Sequence, residues 1–444
     1  MGNTKSSPSC DGDGDGVEQQ SGSVFSQASE IYEAVVNAII RPPRCEYLLR
    51  DLGPVTFRIM TRGFTRTDFE LYNSRNHRLC CSHWEPVERK KRPCPCVIYM
   101  HGNSSSRIEC LPLLSTVLSL GATLFAFDFS GSGQSDGEFV SLGTFEKDDL
   151  AEVIEYLRGT GKTSTIALWG RSMGAATSLL HGERDPSIAC MVLDSPFSNL
   201  VTLAEEIVQR GREKGMYAPT LLVSIALRLI RSSVIKKADF DIREVSPVES
   251  ASRCFIPALF VAADNDDFIP FHHSQEIHRQ YAGDKNIIKV SGTHNSSRPK
   301  FMYDSASNFL LSSLRLQDDA IFLDGLNTSG NLPWDSGNSY CDISHSREDD
   351  KINTLINKNE VSSDDADDKT SAQQHGCSKD DIGIGMNRKQ QVDVENTIFT
   401  AFGGLDIHSP TACDELISTW ICSVCSLENS TKCFKCNACD SFHS

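Results

Sequence analysis

The segment Ile166-Ala167-Leu168-Trp169-Gly170-Arg171-Ser172-Met173-Gly174-Ala175-Ala176 constrains the fold of this chain more than any other. An apolar strand runs into Gly-x-Ser-x-Gly, and small residues then open a helix, the order of a nucleophile elbow. The turn is so tight that Ser172 must sit in a strained conformation with its hydroxyl exposed. Gly170 and Gly174 lack the side chains that would collide with the strand and the helix. Such a corner needs a sheet behind it. From about residue 44 to 313, apolar runs at 96–100, 123–128, 165–169, 191–194, 258–262 and 286–290 alternate with helical stretches. One of these stretches, 144–158, has Thr144 as its N-cap. This alternation predicts an α/β class with a mostly parallel sheet covered by helices on both faces. Residues 197–250 break the rhythm with mainly helical text and read as a cap over the strand ends, where such a sheet carries its site.

A serine hydroxyl is a poor nucleophile near neutral pH. It needs a base, a group that orients the base, and donors for the oxyanion. In this architecture the chain order is serine, acid, histidine. His294 takes the last place, in the loop Ser291-Gly292-Thr293-His294-Asn295 directly after an apolar strand. The acid belongs after the preceding strand, in Asp264-Asn265-Asp266-Asp267-Phe268-Ile269-Pro270. Asp266 is the choice, just before a short apolar turn ending in Pro, with Asp264 and Asp267 read as solvated loop charges. The oxyanion donors are predicted to be two backbone N–H groups. One is Met173 at the start of the helix, where the dipole favours negative charge. The other is Asn103, in His101-Gly102-Asn103-Ser104, where Gly102 lets the backbone turn toward the site. His101 reads as a brace for that loop rather than a second base. Asp128-Phe129-Ser130-Gly131-Ser132-Gly133 lacks the spacing of a dinucleotide site and the lysine of a phosphate loop. It reads as a tight loop beside the oxyanion hole.

Outside this region the text changes. The chain has 444 residues, a net charge of −16 and 17 cysteines. The acidity argues against nucleic acid as a partner and against membrane binding through charge alone. Residues 1–23 are Gly-, Ser-, Asp- and Gln-rich and predicted to be disordered. A helix then follows, with apolar residues at Ala28, Ile31, Val35, Ala38 and Ile39, stopped by Pro42-Pro43 and packed on the catalytic domain. This domain is read over 24–315. Residues 316–415 form an acidic linker, with pairs such as Asp364-Asp365 and almost no apolar period. The N-terminal text has no apolar run of a signal peptide, and no window of 18 uncharged apolar residues occurs. Together with the scattered cysteines this predicts a reducing, cytoplasmic setting.

Residues 416–442 form a separate unit. Cys422-x-x-Cys425 and Cys436-x-x-Cys439 are two knuckles that can place four thiolates tetrahedrally around one structural Zn²⁺. With Trp420 and Asn429 in place, the pattern resembles a RanBP2-type zinc finger. That resemblance implies a module binding either ubiquitin or single-stranded RNA. The finger has no arginine, so a protein, with ubiquitin as the candidate, is the better expectation. At the other end, Met1-Gly2-Asn3-Thr4-Lys5-Ser6 fits the N-myristoylation pattern on Gly2, and Cys10 is a candidate for a second acyl group. Together they would give peripheral membrane association.

On Cys96-Val97-Ile98-Tyr99-Met100-His101-Gly102-Asn103-Ser104, Trp169-Gly170-Arg171-Ser172-Met173-Gly174-Ala175, Asp194-Ser195-Pro196-Phe197-Ser198 and His294-Asn295-Ser296-Ser297-Arg298-Pro299, the chain resembles an α/β-hydrolase of the serine aminopeptidase-like (S33-type) group. Within that group it is similar to a hydrolase family common in plants and protists. More distantly it resembles hydrolases that remove palmitate from membrane-associated proteins. The resemblance spans about 30–313 and implies Ser172, Asp266 and His294 as the triad. The expectation is therefore a serine hydrolase that cleaves an ester, thioester or amide through an acyl-enzyme. The alternative is a catalytically silent hydrolase fold that delivers the finger to a protein.

Overall fold

The computed structural model describes residues 32–88, 92–213, 220–316, 332–334, 419–421 and 428–430. The strands are β1 Thr56–Ile59, β2 Arg62–Tyr72, β3 Arg78–Pro86, β4 Cys94–Met100, β5 Thr123–Phe127, β6 Thr163–Arg171, β7 Cys190–Asp194, β8 Ala258–Ala263, β9 Lys285–Val290, β10 Thr419–Ile421 and β11 Glu428–Ser430. They form one sheet in the order β1-β2-β3-β5-β4-β6-β7-β8-β9-β10-β11. From β5 to β9 every pairing is parallel, and β1, β2 and β3 are antiparallel to their neighbours. The central strands β5 and β7 are buried at every residue, as a sheet covered on both faces requires. Two apolar clusters, one on each face, make the core. Phe125, Phe127 and Leu168 belong to one, and Val97, Trp169 and Val192 to the other.

The helices are α1 over 32–40, α2 Leu114–Ser119, α3 Glu146–Gly159, α4 Met173–Gly182, α5 Leu200–Glu213, α6 Thr220–Ala238, α7 Pro247–Ala251, α8 Phe271–Gln280 and α9 Lys300–Leu314. Helices α5, α6 and α7 fill the stretch read as a cap. In α1, Val36, Ile39 and Ile40 are buried in the first cluster, so the amphipathic helix does pack on the domain. No helix among the described residues is long and apolar enough to cross a membrane.

Three features depart from the sequence reading. The antiparallel strands β1, β2 and β3 were not anticipated. In β2 the buried Phe64 shares its face with Arg62, Arg66, Asp68 and Glu70, and β3 is buried at six consecutive residues, so neither strand shows a clean two-residue period. Thr144 does not cap α3. Its first turn is held instead by Ser141 Oγ, which accepts the Phe145 N–H (2.7 Å), and by the Glu146 carboxylate, which accepts the N–H groups of Ser141 and Gly143 at 2.8 Å. Within the stretch read as linker, Trp334 packs edge-on against Phe57, ring centroids 5.5 Å apart. It also sits where a side chain on Gly53 would be.

Candidate active site

The elbow forms as the spacing predicts. Ser172 has φ 51° and ψ −113°, and its N–H donates to the Asp194 carbonyl across the β6–β7 pairing (2.7 Å). A left-handed φ at a residue with a Cβ is strained and persists only where the surroundings over-determine it. Here the two glycines do so. A Cβ on Gly170 would lie 2.3 Å from the Gly174 backbone, and one on Gly174 would lie 2.1 Å from the Met100 carbonyl oxygen. Strand β6, helix α4 and strand β4 can approach this closely only with hydrogen at both positions.

The three separated residues meet at this corner. His294 Nε2 lies 3.1 Å from Ser172 Oγ, and His294 Nδ1 lies 2.7 Å from Asp266 Oδ2. A carboxylate only accepts, so Nδ1 carries the ring proton and Nε2 is left to accept from the serine hydroxyl. The other carboxylate oxygen of Asp266 accepts the N–H groups of Phe268 (3.0 Å) and Ile269 (2.7 Å). All three side chains are buried, and Phe268 stands edge-on to the imidazole at 5.2 Å. Asp264 and Asp267 are exposed. Asp264 accepts the Gly292 N–H instead.

The predicted oxyanion residues flank the serine. Met173 opens α4, where the first N–H groups have no intrahelical partner. Asn103 lines the space beside Ser172, and a Cβ on the neighbouring Gly102 would lie 3.7 Å from that of Ser172. His101 is buried with both nitrogens engaged. Nδ1 donates to the Gly102 carbonyl (2.8 Å) and Nε2 accepts the Phe129 N–H (3.1 Å), which ties the two loops together. The Gly-rich loop turns around the buried Asp128 carboxylate, which accepts from Tyr47 Oη (2.6 Å) and from the N–H groups of Arg107 and Gln134.

Four residues hold the histidine loop; Arg171, Asp194 and Arg298 stand in the segments that carry the resemblance, without a role assigned there, and Glu109 stands outside them. The Arg171 guanidinium donates to the His294 carbonyl (2.6 Å) and to Glu109 (3.3 Å). Arg298 pairs with Asp194 through two 2.8 Å bonds and donates to the carbonyls of Thr293, His294 and Ser296. Burial would raise the Asp194 carboxyl, but the charge and hydrogen bonds of Arg298, with Arg171 beyond, hold it below the ordinary carboxylate range. Burial opposes the charge on Arg171, yet Glu109 and Asp194 raise it further above its usual value. Arg298 lies four residues after His294, and Arg171 directly before Ser172.

Two cavities open on Ser172. One is apolar and lies under the cap, lined by Leu142, Phe197, Leu200, Leu203, Ala204, Ile207, Phe268 and Ile269 with Asn103. The other is lined by the polar residues Asn103, Ser105, Glu109, Arg171, His294 and Asn295 with Gly102. The candidate zinc ligands Cys422, Cys425, Cys436 and Cys439 and the candidate acylation sites Gly2 and Cys10 lie outside the described residues.

Residues 91–240 match the family described as serine aminopeptidase, S33. An uncharacterized Bacillus subtilis (strain 168) protein, YqkD, is 29% identical over 208 residues, covering 46% of this chain and 66% of that protein. The Rattus norvegicus lysophosphatidylserine lipase ABHD12 is 27% identical over 202 residues, covering 41% of this chain and 44% of that protein. The chain thus spans less than two thirds of either relative's length. Among solved structures, the Pyrococcus furiosus esterase Pf2001 aligns with a TM-score of 0.45 at 19% identity, over 62% of this chain and 99% of that one. The sheet order and the serine corner between β6 and α4 give the chain an α/β-hydrolase fold, and the family match over 91–240 contains that corner.

Proposed function

We propose that this chain is a serine hydrolase that cleaves a carboxylic ester of an apolar acyl group through an acyl-enzyme, with Ser172, His294 and Asp266 as its triad. The observation that carries the reading is the hydrogen-bonded series Ser172 Oγ, His294 Nε2, His294 Nδ1, Asp266 Oδ2, at 3.1 and 2.7 Å. Ser172 attacks the acyl carbon while His294 takes its proton. The resulting oxyanion is held by the N–H groups of Met173 and Asn103. His294 returns the proton to the leaving oxygen, and water then releases the acid by the same route. Asp266 orients the ring and stabilises the imidazolium without taking the proton.

Substrate class follows from the two cavities. The apolar one under the cap takes the acyl chain, and the polar one beside Arg171 and Glu109 takes the leaving group. A thioester or amide would occupy the same geometry, and the ester is favoured because the rat relative is named a lipase. The intact series argues against the silent-adaptor alternative. A fluorophosphonate probe should label Ser172 and fail to label Ser172→Ala; folded wild-type protein that stays unlabelled refutes the reading.

The C-terminal unit would add a partner to this enzyme. Strands β10 and β11 pair antiparallel with Ile421 opposite Glu428, and the sequence between them holds Cys422 and Cys425. Cys422, Cys425, Cys436 and Cys439 would hold a structural Zn²⁺ there, and a protein such as ubiquitin is the proposed ligand. Acylation of Gly2, with Cys10 as a second position, is proposed as a membrane anchor. Mass spectrometry of the intact chain tests both the metal and the acyl group.

A further inference from the structure

The net charge of −16 is not spread over the molecule. Residues 32–316 carry 33 Lys and Arg against 32 Asp and Glu, so the acidity lies in the flanking segments. Within this nearly neutral domain, α6 stands apart: Thr220–Ala238 has four basic residues and no acidic one. Its inward face is Ile230, Val234 and Ala238, buried at helical spacing in the core. Arg231 is pinned to Asp241 (2.8 and 2.5 Å). Its outward face is Ile225, Leu229, Ser232 and Lys236, spaced four, three and four apart, with Arg228 alongside. Ile225 is 45% exposed and Leu229 54%. Neither Arg228 nor Lys236 makes an ion pair among the described residues.

We propose that this outward face of α6 docks on an anionic lipid bilayer. Aliphatic side chains interleaved with bases that have no carboxylate partner among the described residues suit an interface where the chains enter the acyl boundary and the bases reach back to headgroups. The bases also distinguish a bilayer from a second copy. A two-fold contact would repeat the same patch and set Arg228 and Lys236 of one molecule against those of the other. The place of the preceding chain agrees: α1 is fastened to the flank of α6 by Tyr32 Oη to Ser233 Oγ (2.6 Å) and by the Glu33–Lys237 pair. Tyr32, the first described residue of the chain, therefore stands beside this face. Docking also turns the cap toward lipid, and the apolar cavity lies under the neighbouring cap helix α5. The inference goes beyond the hydrolase reading and does not require it.

The test is flotation of the full chain with vesicles of phosphatidylcholine containing about 30 mol% phosphatidylserine. The Gly2→Ala background removes any acylation there, and thermal melting serves as the fold control. The wild-type face should float the protein with these vesicles. Ile225→Asp/Leu229→Asp should lower the bound fraction about tenfold or more with an unchanged melt. Arg228→Ser/Lys236→Ser should remove the preference for phosphatidylserine over pure phosphatidylcholine, about fivefold per base. No flotation of the starting protein, or equal flotation of Ile225→Asp/Leu229→Asp, overturns the proposal. A dimer in light scattering that this double variant dissolves assigns the face to a second copy and overturns it too.

Discussion

Arg298 grips Asp194 with two nitrogens, each 2.8 Å from a separate carboxylate oxygen, at the end of the strand beside the one that carries the nucleophile. Both side chains are nearly inaccessible. The same guanidinium donates to the carbonyl of His294 (3.3 Å), so the base loop is anchored to the sheet through this pair. The Asp194 backbone in turn accepts the Ser172 N–H. One ion pair thus spans the nucleophile and its base.

Removing one member of a buried pair leaves the other charge unpaired. Arg298→Ala should destabilise the domain by about 3–5 kcal/mol in urea unfolding. Arg298→Met/Asp194→Leu should recover most of that stability, because no buried charge remains. Its activity should stay low, since the loop carbonyls of Thr293, His294 and Ser296 have each lost one donor. Full activity in the double variant would show that the pair serves stability alone.

Asp266→Asn keeps an oxygen for the N–H groups of Phe268 and Ile269 but offers an amide to His294 Nδ1. That ring then holds its proton on Nε2 and cannot accept from Ser172. The rate of ester cleavage should fall about 10³–10⁴-fold. The exposed Asp264 and Asp267, changed to Asn, should stay within about twofold of wild type. A large loss at either would move the acid from Asp266.

Much of this site was legible because each chemical residue sits in the loop directly after a strand. Ser172 follows β6, Asp266 follows β8 and His294 follows β9, and parallel strands deliver their C-terminal loops to one rim. The supports were not legible. Arg298 with Asp194 and Arg171 with Glu109 join segments 62 to 104 residues apart, and no local pattern encodes such a meeting. The cap was visible as helical text, but which faces of α5 line the cavity depends on how the helix sits over Ser172. The antiparallel strands were hidden for another reason: in β2 buried Phe64 and Arg66 share a face with exposed Arg62, Asp68 and Glu70, so burial does not follow a two-residue alternation. Trp334 was hidden by the acidic text around it, since one aromatic makes no period.

Histidines give the pH dependence of stability. His273 on α8 is fully buried. Its Nδ1 accepts the Ser198 N–H (3.2 Å), so Nε2 holds the proton and faces Glu206 on the cap helix α5 at 3.2 Å. Burial pushes its pKa down to about 4, despite the neighbouring Glu206. The unfolded chain takes up this proton near the ordinary histidine value of about 6.5, while the folded one resists until about 4. The contribution is therefore present above pH 6.5 and lost as pH falls toward 4. Urea unfolding at pH 4.5 should show up to about 2–3 kcal/mol less stability from this residue than at pH 7.5. His273→Gln should flatten that slope, and an unchanged slope would assign the acid sensitivity elsewhere.

The apolar cavity predicts a chain-length preference. Leu203 on α5 lines it and is itself buried, so Leu203→Trp fills space that an acyl chain would use. Acetate esters need little of that space and longer chains need most of it. With p-nitrophenyl esters, kcat/KM for octanoate should fall about tenfold or more, while acetate changes far less. Overpacking costs about 1–3 kcal/mol, so the comparison of the two substrates in one protein sample separates pocket loss from unfolding. Equal loss on both esters would place the acyl chain outside this cavity, leaving the polar side by Arg171 as its channel.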